Sequence, residues 1–324
     1  MNDAVVAWLR DALPWPQFFF WVTDAGGPLG WWLLLQFILL FAGTQRGLRI
    51  AWLACLAIWS NTVLKYLLVA PRPFWIDGGV EALRVTDGFG MPSGHAQGAT
   101  ALLVGCALLA ARGRRALPWV LALGAAMLIA VSRVYLGVHS VAQVIWGFAL
   151  GLALSLVLWR YLPALEAWAQ ARSLPARVGA IAALSAAAAA GLWAAWRRAA
   201  NVDLPSEWAA NVAATAARLG EPLEAGAFEP ADPGAIALAL LLLGYLLLAL
   251  VARQRGHRVA AGGQSMALTV VAAVAINLVL FAALNALGTG LLLWLLFQPL
   301  LAVWLPLRWF GGADAPAAAS GAAR

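Results

Sequence analysis

Apolar residues run along this chain in blocks of roughly 20, enough to cross about 30 Å of hydrocarbon as helix. The blocks fall at 28–44, 50–70, 95–112, 117–134, 141–160, 178–196, 234–252, 266–286 and 288–306, which predicts nine transmembrane helices. The sixth is the weakest, an alanine-rich run from Ala180 to Ala195 with little side-chain bulk. Its crossing needs support from another feature of the sequence.

The polar gaps between blocks supply it. Arg46 and Arg49 follow the first block, Arg112, Arg114 and Arg115 the third, and Arg160, Arg172 and Arg177 the fifth. Arg253, Arg255 and Arg258 follow the seventh, and Arg308 the ninth. Lysine and arginine accumulate in short cytoplasmic loops, so these gaps share one side only if the sixth block crosses. The fold class is therefore all-α, a polytopic membrane helical bundle of about nine transmembrane helices with an extracytoplasmic N-terminus and a cytoplasmic C-terminus.

The same pattern divides the chain. Residues 1–27 read as an extracytoplasmic interfacial segment, with Trp8, Trp15 and Phe18 to Phe20 at headgroup level, and 28–196 as a six-helix core. Residues 197–233 form an extracytoplasmic loop that carries Asp203, Glu207, Glu221, Glu224, Glu229 and Asp232, a solvated connector or a lid. Three further helices occupy 234–306, and 307–324 is a cytoplasmic tail, disordered and rich in Ala and Gly. No basic start, apolar run and cleavage site mark a signal peptide.

Composition agrees with this picture and narrows the function. The chain is 64% hydrophobic and 11% charged, with a mean hydropathy of +0.84, against an apolar share of roughly 45–50% in soluble domains. A pI near 10.4 does not make a nucleic-acid protein, because its arginines are parcelled into short loops instead of clustering on one soluble face. Cys55 and Cys106 lie inside apolar blocks without partners at metal-ligand spacing, and read as packing residues.

Against that background a few charged and polar residues stand out. Lys65, the only lysine, ends the second block seven residues before Arg72-Pro73. Pro92-Ser93-Gly94-His95 opens the third block, and Ser132-Arg133 closes the fourth, with His139 six positions after the arginine and Gln143 one helical turn later. A charge beside a membrane span costs several kcal/mol or more unless compensated, and binding an oxyanion compensates it. Phosphoryl transfer needs cations and N–H donors around the oxygens, an in-line nucleophile and an acid for the leaving oxygen. Lys65, Arg72 and Arg133 supply charge, the Ser93 and Gly94 amides supply donors at a helix N-terminus, and His95 and His139 divide acid and nucleophile. The Gln143 side-chain oxygen can accept the imidazole N–H and fix its tautomer.

These blocks resemble the signature of the type-2 phosphatidic acid phosphatases, a superfamily related to vanadium haloperoxidases and bacterial acid phosphatases. The likeness covers about 65–150. It implies that His139 is the nucleophile that forms a phosphohistidine, that His95 is the general acid, and that Lys65, Arg72, Ser93, Gly94 and Arg133 hold phosphate, with no metal and no cofactor. Gln143 stands where the family has Asp. Two membrane branches, the glucose-6-phosphatases and the dolichyl diphosphate phosphatases, typically carry glutamine there, and the nine-span layout with an outside N-terminus resembles the former.

The expectation is thus an integral-membrane phosphatase of the bacterial inner membrane, its site facing the periplasm or exterior. It would act on a phosphate monoester or diphosphate, foremost a lipid phosphate such as polyprenyl diphosphate, because a site at helix ends receives a headgroup while the chain stays in the bilayer. The alternatives are a glucose-6-phosphatase-like sugar phosphatase, a lipid phosphotransferase, and, in a different class, an inactive relative or a transporter. Charges gathered at one face, not at the midplane, argue against transport. Membrane lipids are expected partners, and no nucleic acid.

Overall fold

A computed structural model describes residues 2–41, 44–110 and 115–221. The predicted spans at 234–252, 266–286 and 288–306, the 307–324 tail and the end of the 197–233 loop lie outside these residues. Within them the chain is all helical: α1 (Asn2–Ala12), α2 (Pro16–Ala25), α3 (Pro28–Phe41), α4 (Thr44–Leu68), α5 (Pro73–Ile76), α6 (Gly94–Ala110), α7 (Leu117–Tyr135), α8 (Val141–Gln170), α9 (Leu174–Ala200) and α10 (Ser206–Leu219). Among the described residues there is no strand.

Among the described residues, four segments are long and apolar enough to cross a membrane: Arg49–Ile76, Leu117–Tyr135, Val141–Ala169 and Pro175–Ala200. The last is the alanine-rich block. Alanine has the highest intrinsic helix propensity, so low bulk does not weaken the helix itself. A fifth apolar helix, Gly94–Ala110, is shorter. Of its 17 residues 10 are buried, including Gln97, Thr100, Leu102 and Val104, so it lies inside the described bundle. A helix walled by protein does not need the full length of a lipid-facing one.

Described residues up to Trp32 and from Leu53 onward cluster into one compact unit, whereas Leu33–Trp52 belong to another. In the first unit α6 packs between α7 and α8. The α6–α8 seam is built on small residues one turn apart, Gly147, Gly151 and Ser155. A Cβ at Gly147 would stand 2.5 Å from the Ser93 carbonyl oxygen, and one at Gly151 would stand 2.3 Å from that of Gln97. Ser155 Oγ donates to Ala101 O at 3.1 Å. Lipid tails are as apolar as leucine, so spanning helices associate through such close backbone approach. Here the approach locks the start of α8 against the start of α6.

Two regions depart from their sequence-based description. The N-terminal segment is not merely interfacial: α2 turns Trp21 and Phe18 outward, but buries Phe19 and Thr23 against the bundle. Within the 197–233 loop, α10 buries Val212, Thr215 and Ala216 and packs on α5. Trp75, next to Arg72-Pro73-Phe74, is 1% exposed. Its ring meets Phe89 at 6.1 Å and Trp208 at 6.0 Å, because α10 covers the face that would otherwise reach headgroups.

Candidate active site

Lys65 lies in the last turn of α4, Arg72 immediately before α5, and Arg133 in the last turn of α7. Arg72 and Arg133 are each 1% exposed. The Arg72 guanidinium is held by backbone carbonyls: Nε donates to Gly88 O at 2.8 Å, Nη2 to Asp87 O at 2.7 Å and Nη1 to Val138 O at 3.0 Å. Lys65 Nζ donates to Phe89 O at 2.5 Å. Arg133 Nη1 donates to Thr23 Oγ1 at 2.6 Å, while its buried Nε has no hydrogen-bond partner among the described residues. None of the three pairs with a carboxylate among the described residues. Carbonyl dipoles orient these groups but leave their positive charge standing, a costly arrangement without an anion.

His139 hangs from the turn between α7 and α8 with both ring nitrogens engaged. Nδ1 is 3.1 Å from Gln143 Oε1, and Nε2 is 3.1 Å from Arg72 Nη1. The amide orientation of Gln143 follows from its other contacts: Oε1 accepts from Ser140 N at 3.1 Å, and Nε2 donates to Pro71 O at 2.8 Å. With Oε1 fixed as an acceptor, Nδ1 carries the proton and Nε2 keeps its lone pair toward Arg72. Burial comes first, then the charges of Arg72, Arg133 and Lys65, in pushing the imidazole well below its ordinary pKa; the Gln143 hydrogen bond works the other way.

Gln143 also closes a capping box with Ser140, whose Oγ accepts the Gln143 N–H at 3.2 Å. Its main-chain oxygen accepts from Ser93 N at 3.0 Å. One residue therefore ties together all three sequence blocks: Pro71 beside Arg72, Ser93, and His139. The approach is close enough that a Cβ on Gly90 would lie 2.5 Å from Gln143 Nε2. A carboxylate in that position would set an oxygen against the Pro71 carbonyl instead of an N–H.

The bond to Gln143 corrects one expectation. The Ser93 amide is taken inside the protein, so of the two amides expected to face an anion only that of Gly94, the first residue of α6, has no partner among the described residues. Ser93 itself is fully buried, and its Oγ lies 3.5 Å from Ala96 N, leaving the hydroxyl proton to donate elsewhere. His95 follows in the first turn of α6, half-buried, beside Trp31 at 6.5 Å between ring centroids.

A sequence profile of the PAP2 superfamily matches residues 46–167, a stretch that contains all eight of these residues. That match is to the part of the chain that holds the three sequence blocks. The chain is also similar to glucose-6-phosphatase catalytic subunit 1 of Haplochromis nubilus, 31% identical over 133 residues, which covers 33% of this chain and 38% of that protein. Glucose-6-phosphatase 3 of Mus musculus is 30% identical over 165 residues, covering 41% and 45% respectively. The chain thus spans less than half the length of these curated relatives. No solved structure matches significantly.

The site also depends on residues that the three sequence blocks do not include. Asn61 Nδ2 donates to Pro92 O at 3.1 Å and to Gln97 Oε1 at 2.9 Å, while Gln97 Nε2 reaches Ser60 Oγ at 2.9 Å. This buried chain of amides braces the loop that delivers Ser93 to His95. Its signal was present in the sequence, since amide side chains inside apolar spans mark a bundle interior by default. The carbonyls of 87–89 that hold Arg72 and Lys65 left none, because any residue carries a carbonyl. Their loop is pinned from two sides: Arg10 Nη2 donates to Glu81 O at 2.7 Å, Arg218 Nη2 to Ala82 O at 2.6 Å, and Glu221 Oε2 accepts from Val85 N at 2.9 Å.

Proposed function

We propose that this protein is a membrane phosphatase that cleaves a phosphate ester or diphosphate in two steps through a phosphohistidine. One observation carries the reading: two buried arginines and a half-buried lysine, without carboxylate partners among the described residues, gather around a buried histidine whose Nε2 lone pair faces Arg72. In the first step His139 Nε2 forms the bond to phosphorus as the bond to the leaving oxygen breaks, and His95 gives that oxygen its proton. In the second, His95, now neutral, takes a proton from water; the hydroxide oxygen displaces His139 and releases inorganic phosphate. Arg72, Lys65, Arg133 and the Gly94 amide stabilise the equatorial oxygens through both transfers. When phosphate binds, Arg72 Nη1 exchanges its contact with His139 Nε2 for a phosphoryl oxygen, which frees the nucleophile at the moment the anion arrives.

The substrate is read as a lipid phosphate, such as polyprenyl diphosphate, because the cations sit at the ends of membrane-spanning segments. A second reading, a hexose phosphate, is supported by the likeness to glucose-6-phosphatases. Phosphate release by purified protein across undecaprenyl diphosphate, phosphatidate, phosphatidylglycerol phosphate and glucose 6-phosphate tests both. Preference for a lipid supports the first reading, preference for the sugar phosphate supports the second, and release from none removes the phosphatase assignment. Adding a lipid or glycan acceptor to the same assay separates hydrolysis from phosphotransfer.

A further inference from the structure

We propose that Thr23 is a positioning residue for the phosphate-binding Arg133, which makes α2, a helix outside the matched 46–167 stretch, a working part of the active site. The inference rests on the phosphatase reading and adds to it a residue that no sequence block contains.

Phe19 and Thr23 are the two buried residues of α2, one helical turn apart. The Phe19 ring stacks on Tyr135 at 4.0 Å and 19°, and Thr23, fully buried, accepts from Arg133 Nη1 at 2.6 Å. One face of α2 thus grips the last turn of α7, where the arginine stands. α1 holds the same turn, Arg10 Nε donating to Tyr135 O at 3.1 Å, and Asp24 near the end of α2 pairs with Arg84 at 2.7 Å. Past Thr23 the chain turns through Gly26-Gly27, where a Cβ on Gly27 would lie 3.3 Å from His95 Nε2. The same segment therefore holds Arg133 and runs close beside the proposed acid.

The chemistry of the contact fits orientation. With Nη1 held by Thr23, the buried and unpartnered Nε is left as a donor for a phosphoryl oxygen. A carboxylate at position 23 would also orient the guanidinium, but would neutralise it and compete with the substrate anion. A hydroxyl fixes the direction and leaves the charge in place.

The test uses the full chain in detergent or nanodiscs, with steady-state phosphate release and the inhibition constant for vanadate as readouts. Thr23→Val, which keeps the shape and removes the acceptor, should weaken vanadate binding and lower kcat/KM by about ten- to a hundredfold, as for loss of a hydrogen bond to a charged group. Thr23→Ala, which leaves space instead of a buried methyl, should do the same, and Thr23→Ser should restore values to within about threefold of wild type. In an Arg133→Lys background, where no guanidinium remains to be held, Thr23→Val should add less than about twofold. Wild-type vanadate binding in the Val and Ala variants overturns the proposal, and so does an equal loss in Thr23→Ser, which would assign the effect to packing. If wild-type protein itself neither releases phosphate nor binds vanadate, the phosphatase reading fails first and takes this inference with it.

Discussion

The two site histidines sit in opposite kinds of surroundings. His139 is 2% exposed, with one ring nitrogen on Gln143 and the other on Arg72. His95 is half-buried, and no hydrogen bond reaches its ring from the described residues; its neighbours are the Gly27 backbone and the edge of Trp31. A nucleophile must arrive with its tautomer set and its lone pair aimed, so its restraints belong to the protein. A general acid has as its partner the leaving oxygen, which comes and goes with the substrate. The asymmetry is what the proposed division of labour requires, and it offers several ways to break the assignment.

The largest effect should come from His139→Ala, which removes the atom proposed to bond to phosphorus. Phosphate release should fall by at least about a thousandfold, and radiolabelled substrate should no longer leave an acid-labile phosphoenzyme. Substantial turnover in this variant would reverse the comparison. His95→Ala should cost roughly a hundred- to ten-thousandfold on an alkyl phosphate, because the alkoxide then leaves unprotonated. With p-nitrophenyl phosphate the first step needs no acid, so the loss should be smaller and the phosphohistidine should accumulate. Equal losses on both substrates would show that His95 does not face the leaving group.

Gln143 belongs to the restrained side. Gln143→Ala should lower the rate by roughly ten- to a thousandfold, about 1.4–4 kcal/mol of barrier. The structure adds that Gln143→Glu should not rescue it, since the acid would lose the donor to Pro71 O and face a carbonyl oxygen. A fully active Glu variant would mean that only the acceptor toward His139 matters. An unchanged Ala variant would mean that Gln143 orients nothing.

How much of this was legible in the sequence differs between the same two sides. The i, i+4 relation of His139 and Gln143 could be read directly, because helical spacing fixes which side chains meet. Helices at 50–70, 95–112, 117–134, 141–160 and 178–196 were legible as well, since hydropathy reports lipid exposure. The environment of His95 was not. It depends on α2 folding back, a non-local packing choice that neither Thr23 nor Gly27 advertises, and exposed aromatics at Trp8, Trp15 and Phe18 pointed instead to a segment lying at the membrane surface. Ser93 went partly astray for the same reason: its place before a helix predicted a free amide, but the small-residue seam brings α8 near enough to occupy it.

The smallest effect, a displacement along the pH axis, tests the comparison most directly. The reactive form of His139 is neutral, and burial followed by the charges of Arg72, Arg133 and Lys65 holds the imidazole well below its ordinary 6.5. The neutral form therefore persists below that pH, so the acid limb of kcat/KM should lie under 6.5. Linkage carries the same sign. The unfolded chain takes up this proton near its ordinary value of 6.5, whereas the folded chain resists it, so the associated stability is fully present above that pH and is lost as the pH falls. Arg72→Gln removes one cation but leaves the burial, so the limb should move up only part of the way toward the ordinary value. The limb should also survive in His95→Ala assayed with p-nitrophenyl phosphate, because it belongs to His139. If it disappears with His95 instead, the restrained histidine is not the nucleophile, and the two roles must be exchanged.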